Sequence, residues 1–191
     1  MKIIKRECTS KYLVFCILFA LLLLFEGMIL MSYDISYAKE DKSDNLVGIN
    51  ELQNYASLKC DCSDSEFQAA YDAARAIVDP LVGKSRLNQV KGVTEGIRNM
   101  LDNGQVSYTM NQAHYNDPYG YFCLGVGSCA GATRATGLCL NMLGIPYEHV
   151  HENQFCHQWV RVKVGDEYWI ADAFGLTLGP EPQPYMHPHK Q

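Results

Sequence analysis

The sequence predicts an α+β domain in which helices pack on a mainly antiparallel sheet. Helical periodicity occupies residues 63–78 and 87–101 and returns after Ser128. Two runs of alternating apolar residues then flank Gly165-Asp166. Helices that precede strands, instead of alternating with them, favour α+β over a parallel α/β sheet.

The first two helices have recognisable ends. Ser63 and Glu66 have the spacing of a capping box, and apolar residues follow at three- and four-residue steps until Pro80. The second helix is predicted over 87–101, with Gly104 just past its end as a C-cap residue.

A short strand and a loop lead to the third helix. Residues 105–110, "QVSYTM", alternate as a strand does, and 111–127 are rich in turn residues. Ser128 is a natural N-cap, and Gly144 follows the predicted end. One stripe of this helix is apolar and consists of Ala135, Leu138, Cys139 and Met142. After it, "YEHVH" predicts one strand, and the runs around Gly165-Asp166 predict two more.

Length and charge narrow the classes of protein that this chain can be. Its 191 residues, 48% hydrophobic and 19% charged, suit one globular domain with a short appendage. The net charge is -5 and the body has no basic run, which argues against nucleic-acid binding. The predicted organisation is a leader over 1–38, a polar spacer over 39–62, the domain over 63–178 and a proline-rich tail over 179–191 with little regular structure.

The leader has the pattern of an export signal or a membrane anchor. Basic residues precede the apolar run "YLVFCILFALLLLF", and "SYA" offers a cleavage site after Ala38. That site lies 13 residues beyond Phe25 (38 minus 25), which is long for a cleaved signal, so cleavage and retention both stay open. In either case we expect the body to be extracytoplasmic, secreted or anchored to the membrane.

The cysteines beyond the leader are even in number: Cys60, Cys62, Cys123, Cys129, Cys139 and Cys156. Disulfides are therefore permitted, but one reactive thiol would leave an odd number, so we expect no dense disulfide scaffold. A single bridge from Cys60 or Cys62 stays open. Cys60-x-Cys62 is too tight for a zinc knuckle, and the segment from His149 to His157 lacks a known ligand spacing, so no metal or cofactor is predicted.

Cys129 is the candidate reactive thiol. At a helix N-terminus, free backbone N–H groups and the helix dipole lower the pKa of a thiol. The same N–H groups could bind a developing oxyanion. The small residues that follow, Ala130, Gly131 and Ala132, predict room for a substrate backbone. A buried structural cysteine is the alternative.

His157 and Asp172 are the candidate partners. A two-residue turn at Gly165-Asp166 pairs Val164 with Glu167, which places His157 diagonal to Asp172 on one side of the ribbon. A carboxylate there can orient an imidazole. A half-buried histidine with a surface aspartate is the alternative.

The side that holds His157 is not the apolar side of its strand. Alternation places Cys156 with the valines, and hence in a shielded position, whereas His157 shares its side with Arg161 and Lys163. Either the sheet is covered on both faces, or the strand bends near its start.

These motifs resemble those of the transglutaminase-like superfamily of papain-like thiol enzymes. The segments are "GVGSCAGATRATGLCLNMLGIPYEHV", "HQWVRV" and "EYWIADAFG", and the resemblance covers about residues 105–175. They show a Cys that opens a helix, a His before an aromatic-bearing strand and an Asp that ends the next strand. The resemblance implies a papain-like core, in which N-terminal helices and a nucleophile helix pack on the sheet.

The resemblance also implies roles. Cys129 is then the nucleophile, His157 the general base and acid, and Asp172 the residue that orients His157. Gln158 departs from the pattern, since small residues are usual after the histidine.

The implied function is that of an exported thiol enzyme that forms an acyl-enzyme at Cys129 from a peptide or glutamine amide. Transfer to water would make it a peptidase or amidase, and transfer to an amine a protein crosslinker. We favour hydrolysis because no second substrate site is evident. The expected partner is a protein or peptide, such as one at the cell wall or cell surface. A non-catalytic binding module with this fold and a metal-binding protein that uses the histidine-rich segment are the alternatives.

Overall fold

The computed structural model describes residues 45–151 and 156–181, which all belong to one compact unit, Glu40–Gln191. The α-helices of this part are α1 (Tyr55–Lys59), α2 (Asp64–Val78), α3 (Arg86–Asp102) and α4 (Cys129–Met142). The strands are β1 (Ser107–Tyr108), β2 (Val126–Gly127), β3 (Tyr147–Val150), β4 (Trp159–Val164), β5 (Glu167–Asp172) and β6 (Thr177–Pro180). Short 3-10 helices span Ile49–Glu51 and Asp79–Leu81, and a π-helix spans Gly120–Leu124.

Strands β3 to β6 form one antiparallel sheet in chain order. Val164 pairs with Glu167, and Val160 pairs with Ala171, which is the register that a two-residue turn dictates. Strands β1 and β2 form a separate parallel pair. The predicted α+β class with a mainly antiparallel sheet is confirmed.

Helix α4 is the centre of the fold. It contacts α2 and α3 on one side and β3 and β4 on the other. From Ala130 to Met142, every residue except Arg134 is buried, so the predicted apolar stripe is only part of a helix that is enclosed all round. Helices therefore pack against the antiparallel sheet with α4 between them, an arrangement compatible with the papain-like core that the sequence resemblance implies.

The predicted helix ends are observed. The Ser63 hydroxyl accepts the Glu66 N–H at 3.3 Å, and the Glu66 carboxylate accepts the Ser63 N–H at 2.7 Å, which completes the capping box. Ser85, for which no cap was predicted, caps α3, and Ser128 caps α4 as predicted. Gly104 and Gly144 follow these two helices with φ of 72° and 70°. Local side chain to backbone bonds therefore set these boundaries.

The described part of the predicted spacer belongs to the domain. Leu52 and Leu58 are buried, and the Gln53 backbone exchanges two hydrogen bonds with the Asn141 side chain on α4. The Val47 N–H also donates to the carbonyl of Met142 at 2.8 Å. The spacer prediction is therefore wrong from residue 45 onward, because a few apolar side chains in a polar segment suffice to dock it.

Two further expectations are corrected. The strand predicted over 105–110 is only Ser107–Tyr108, and its apolar residues do not form one buried face, since Val106 is buried whereas Tyr108 and Met110 are exposed. Strand β6 includes Gly179 and Pro180, so the sheet continues past the predicted start of an irregular tail. The leader over 1–38 and the rest of the tail lie outside the described residues. Among the described helices, none is long and apolar enough to cross a membrane.

Candidate active site

The N-terminus of α4 holds the candidate thiol. Ser128 is the N-cap, and its hydroxyl accepts the Ala130 N–H at 3.2 Å. Cys129 is the first helical residue and is half-buried. Its carbonyl is fixed by the Thr133 hydroxyl at 2.8 Å. The thiol therefore sits where the helix dipole favours negative charge.

A loop of the protein itself braces this helix end. The Ser128 N–H donates to the Tyr115 carbonyl at 2.9 Å, and the Arg134 guanidinium donates to the Asn116 carbonyl at 2.9 Å. A Cβ on Gly131 would lie 2.6 Å from the Tyr115 oxygen, so only glycine fits there. The expectation that the small residues after Cys129 make room for a substrate backbone is therefore wrong at Gly131, because the loop occupies that space.

His157 and Asp172 form a direct hydrogen bond. His157 Nε2 lies 2.6 Å from Asp172 Oδ2, and Asp172 is buried. The other carboxylate oxygen accepts the Gly175 N–H at 2.7 Å. The pairing of β4 with β5 therefore brings the segment just before β4, which carries His157, beside Asp172 at the end of β5.

The turn after β5 holds Asp172 in place. A Cβ on Gly175 would lie 2.2 Å from Asp172 Oδ2, so the carboxylate needs glycine at this position. The Arg98 guanidinium of α3 donates to the Phe174 carbonyl at 2.8 Å and is itself paired with Asp102. Helix α3 thus fixes the turn that orients the aspartate.

The Cys129 thiol hydrogen-bonds the His157 imidazole. Burial acts to raise the pKa of the Cys129 thiol, but the bond from His157 and the N–H groups of Gln158 and Ala130 outweigh burial, so the pKa lies below its ordinary value.

The pKa of His157 moves in the opposite direction. The hydrogen bond to Asp172 is the largest cause and the bond to Cys129 the second, and together they raise the pKa of His157 to about 9 against the effect of burial. A lowered thiol pKa beside a raised imidazole pKa favours a thiolate–imidazolium pair. The predicted site residues Cys129, His157 and Asp172 are therefore brought into one hydrogen-bonded chain.

Gln158 has a place in this arrangement although it departs from the expected pattern. Its backbone N–H contributes to the lowered pKa of the Cys129 thiol, and its side-chain oxygen lies 2.8 Å from His149 Nε2. Burial lowers the pKa of His149 to about 4, so this histidine is neutral and donates its Nε2–H to Gln158. His149 thus anchors the segment that carries His157, a role that the sequence did not indicate.

Aromatic rings surround the imidazole. The Trp159 ring stacks 6.0 Å from His157, and Phe174 lies 6.2 Å away on a tilted plane. Tyr108 contacts Phe174 at 5.5 Å and is 59% exposed. An apolar surface open to solvent therefore adjoins the candidate catalytic groups.

The other cysteines differ from Cys129. Burial raises the pKa of Cys60 and Cys139, and that of Cys62 to about 12. The six cysteines of the described residues all carry free thiols. Cys156 is exposed, so the prediction that it is shielded with the valines is wrong. The cause is a bend: Cys156 has a φ of 51° and β4 begins only at Trp159, so alternation does not extend back to it.

A second Cys–His–Asp group was not foreseen. Cys62, His114 and Asp117 place their donor atoms within 4.8 Å of one another. Only the His114-x-x-Asp117 spacing is visible locally, since Cys62 lies in a different part of the sequence. The thiol of Cys62 is buried and its pKa is raised, so this group is less suited to nucleophilic attack than the one at Cys129.

Comparisons with known proteins add little. No family model and no curated protein match the chain. A solved structure described as a crystal structure of a TGase matches at 18% identity with a TM-score of 0.49. The match covers 74% of this chain and 38% of that one, so the present chain spans less than half its length. A likeness this distant does not establish family or activity.

Proposed function

We propose that this protein is a transglutaminase-like thiol enzyme that forms an acyl-enzyme at Cys129 from an amide of a protein or peptide. The hydrogen-bonded chain from Asp172 through His157 to Cys129, with the pKa of the thiol lowered, carries the proposal. A structural cysteine has no need of an oriented imidazole, and a buried carboxylate at 2.6 Å from that imidazole serves to orient it.

The first half-reaction follows from this arrangement. The Cys129 thiolate attacks the amide carbonyl carbon and forms a carbon–sulfur bond, while the carbonyl oxygen takes the negative charge. As the tetrahedral intermediate collapses, the carbon–nitrogen bond breaks and His157 gives its proton to the leaving nitrogen. The products are a thioester at Cys129, a neutral His157 and a free amine or ammonia.

The second half-reaction regenerates the thiolate. Neutral His157 takes a proton from water or from an amine as that molecule attacks the thioester carbon. The carbon–sulfur bond then breaks and the thiolate–imidazolium pair returns. We favour water as the acceptor, because Cys129 is half-exposed and the apolar surface beside His157 is open to solvent.

The surface around Tyr108 and Phe174 favours an apolar group next to the scissile amide. Tyr108, a large hydrophobic side chain whose ring contacts Phe174, is 59% exposed. Exposed apolar surface beside a reactive group is typical of a substrate-contact area. A protein or peptide substrate with an apolar side chain near the reacting amide fits this surface.

An acyl-transfer assay tests the function. The full chain is incubated with glutaminyl and peptide amides, with and without a primary amine, and ammonia release, peptide cleavage and amine incorporation are followed. Turnover by the wild type that disappears in Cys129→Ala supports the proposal, and Cys60→Ala is the matched control that should retain it. Turnover that persists in Cys129→Ala would contradict it, and binding of peptides without turnover would favour the binding-module alternative.

We further propose that the domain acts outside the cytoplasm, from the basic flank and apolar run of the leader. Protease added to intact cells should cleave the body of the protein. A body that is protected in intact cells, but cleaved after lysis, would contradict export.

A further inference from the structure

A cluster of metal-binding side chains lies apart from Cys129. Cys62 precedes α2, and His114 and Asp117 belong to the loop between β1 and the π-helix. Their donor atoms all lie within 4.8 Å of one another, and His114 Nδ1 is 2.7 Å from Asp117 Oδ2. Cys62 and Asp117 are buried and His114 is half-buried, so the cluster is enclosed by protein on most sides.

The chemistry of these donors matches one ion best. A thiolate, an imidazole and a carboxylate are ligands that zinc binds together, whereas magnesium and calcium prefer oxygen alone. One thiolate and one carboxylate also balance the two charges of the ion. We propose that Cys62, His114 and Asp117 bind a zinc ion, in a site separate from the Cys129 centre.

The distances require only a small adjustment. Ligand atoms about 2.0–2.3 Å from zinc in a tetrahedron are separated by roughly 3.3–3.6 Å. The pair of His114 and Asp117 at 2.7 Å must open slightly, and the separations from Cys62, which are within 4.8 Å, must close by no more than about 1.5 Å. Both changes are within reach of side-chain rotation at Cys62 and His114. Water then completes the fourth position.

The second layer of contacts resembles the surroundings of protein-bound zinc. Asp117 Oδ1 accepts the Gly120 N–H at 2.9 Å, which leaves Oδ2 for the ion. His114 Nε2 lies 3.7 Å from the Glu66 carboxylate, so a histidine bound through Nδ1 has a carboxylate for its other nitrogen.

The site has a structural consequence for the rest of the domain. His114 and Asp117 flank Tyr115 and Asn116 in the sequence. The Tyr115 carbonyl accepts the N–H of Ser128, the N-cap of α4, and the Asn116 carbonyl accepts a hydrogen bond from Arg134 on α4. An ion at Cys62 would tie this loop to the start of α2. We therefore expect zinc to stabilise the fold and to hold the loop that braces the N-terminus of α4.

Zinc binding is tested in the full chain carrying Cys129→Ser, so that the reactive thiol of the candidate active site does not bind the metal. The protein is stripped with a chelator, supplied with zinc and freed of excess, and zinc is measured by elemental analysis. We expect about one zinc per chain and a higher Tm with zinc than without. Less than a stoichiometric amount of bound zinc, or an unchanged Tm, would overturn the proposal.

Paired variants locate the ion. Adding Cys62→Ser should weaken zinc binding at least ~10-fold, whereas the matched Cys60→Ser, two residues away, should leave it unchanged. Equal zinc affinity in both would overturn the assignment. Binding of cobalt in place of zinc tests the site without substitution of its ligands. Bound cobalt should show a sulfur-to-metal charge-transfer absorption band. Cobalt that binds without this band would refute Cys62 as a ligand. None of these readouts depends on catalysis, so the zinc site and the proposed enzyme activity stand or fall separately.

Discussion

The substitution Asp172→Asn tests how the carboxylate acts on His157. The pKa of His157 is raised from 6.5 to about 9, with the hydrogen bond to Asp172 as the largest cause and that to Cys129 as the second. At about 1.36 kcal/mol per pKa unit, the two together favour the protonated imidazole by about 3 kcal/mol, or a few hundredfold. Asparagine removes the negative charge and has one oxygen in place of two, so it can accept the His157 Nε2–H or the Gly175 N–H but not both.

The expected result is a folded enzyme with a weaker acid–base group. The pKa of His157 should fall from about 9 toward 6.5, which nuclear magnetic resonance can follow through the imidazole proton signals. The value of kcat/KM should fall about 10²-fold, while His157→Ala should abolish turnover, because loss of the base costs more than loss of its orienting partner. Asp166→Asn, at the exposed turn of the same hairpin, is the matched control and should leave both quantities unchanged. An Asp172→Asn enzyme with wild-type kcat/KM and an unshifted His157 pKa would refute the reasoning.

Three further predictions concern the same groups. Brief alkylation with iodoacetamide near pH 6 should label Cys129 ahead of Cys62, because the pKa of the Cys129 thiol is lowered and that of the Cys62 thiol is raised to about 12. The variant His157→Ala should slow the labelling of Cys129. Equal labelling rates for the two cysteines, measured by peptide mapping, would contradict this prediction. The rate of turnover should rise with pH as the Cys129 thiol ionises below pH 9, and it should fall again near pH 9 as His157 loses its proton. A pH–rate profile that still rises above pH 10 would exclude His157 as the general acid. Gly175→Ala should displace the Asp172 carboxylate, since the new Cβ would lie 2.2 Å from it, and should lower kcat at least ~10-fold with the chain still folded; wild-type kcat would show that the turn adjusts freely.

The parts of the fold that sequence predicted well depend on neighbouring residues. The capping box at Ser63 and the N-cap at Ser128 are short-range hydrogen bonds, so their spacing is visible in the chain. The pairing of β4 with β5 follows from the two-residue turn at Gly165-Asp166, and that pairing brings His157 to Asp172. The proximity of His157 and Asp172 to Cys129 was expected only because the motifs resemble those of the transglutaminase-like superfamily.

The parts that sequence missed depend on distant residues. Leu58 and Gln53 dock against α4 from a segment whose composition is typical of a spacer, and only the tertiary contacts show that it is part of the domain. The small residue Gly131 indicated open space, but the Tyr115 carbonyl fills it from the loop between β1 and β2. Periodicity likewise misplaced Cys156, because one residue of positive φ ends the alternation on which the prediction relied.

The central claim is that Cys129 is the nucleophile of an acyl-transferring enzyme. An electrophilic thiol probe with an amide-like recognition group, applied to the full chain at neutral pH and followed by peptide mapping, tests it without knowledge of the natural substrate. The account predicts a single adduct on Cys129, formed quickly in the wild type, more slowly in Asp172→Asn and slowest in His157→Ala. An adduct that forms preferentially on another cysteine, or at a rate independent of His157, would contradict it.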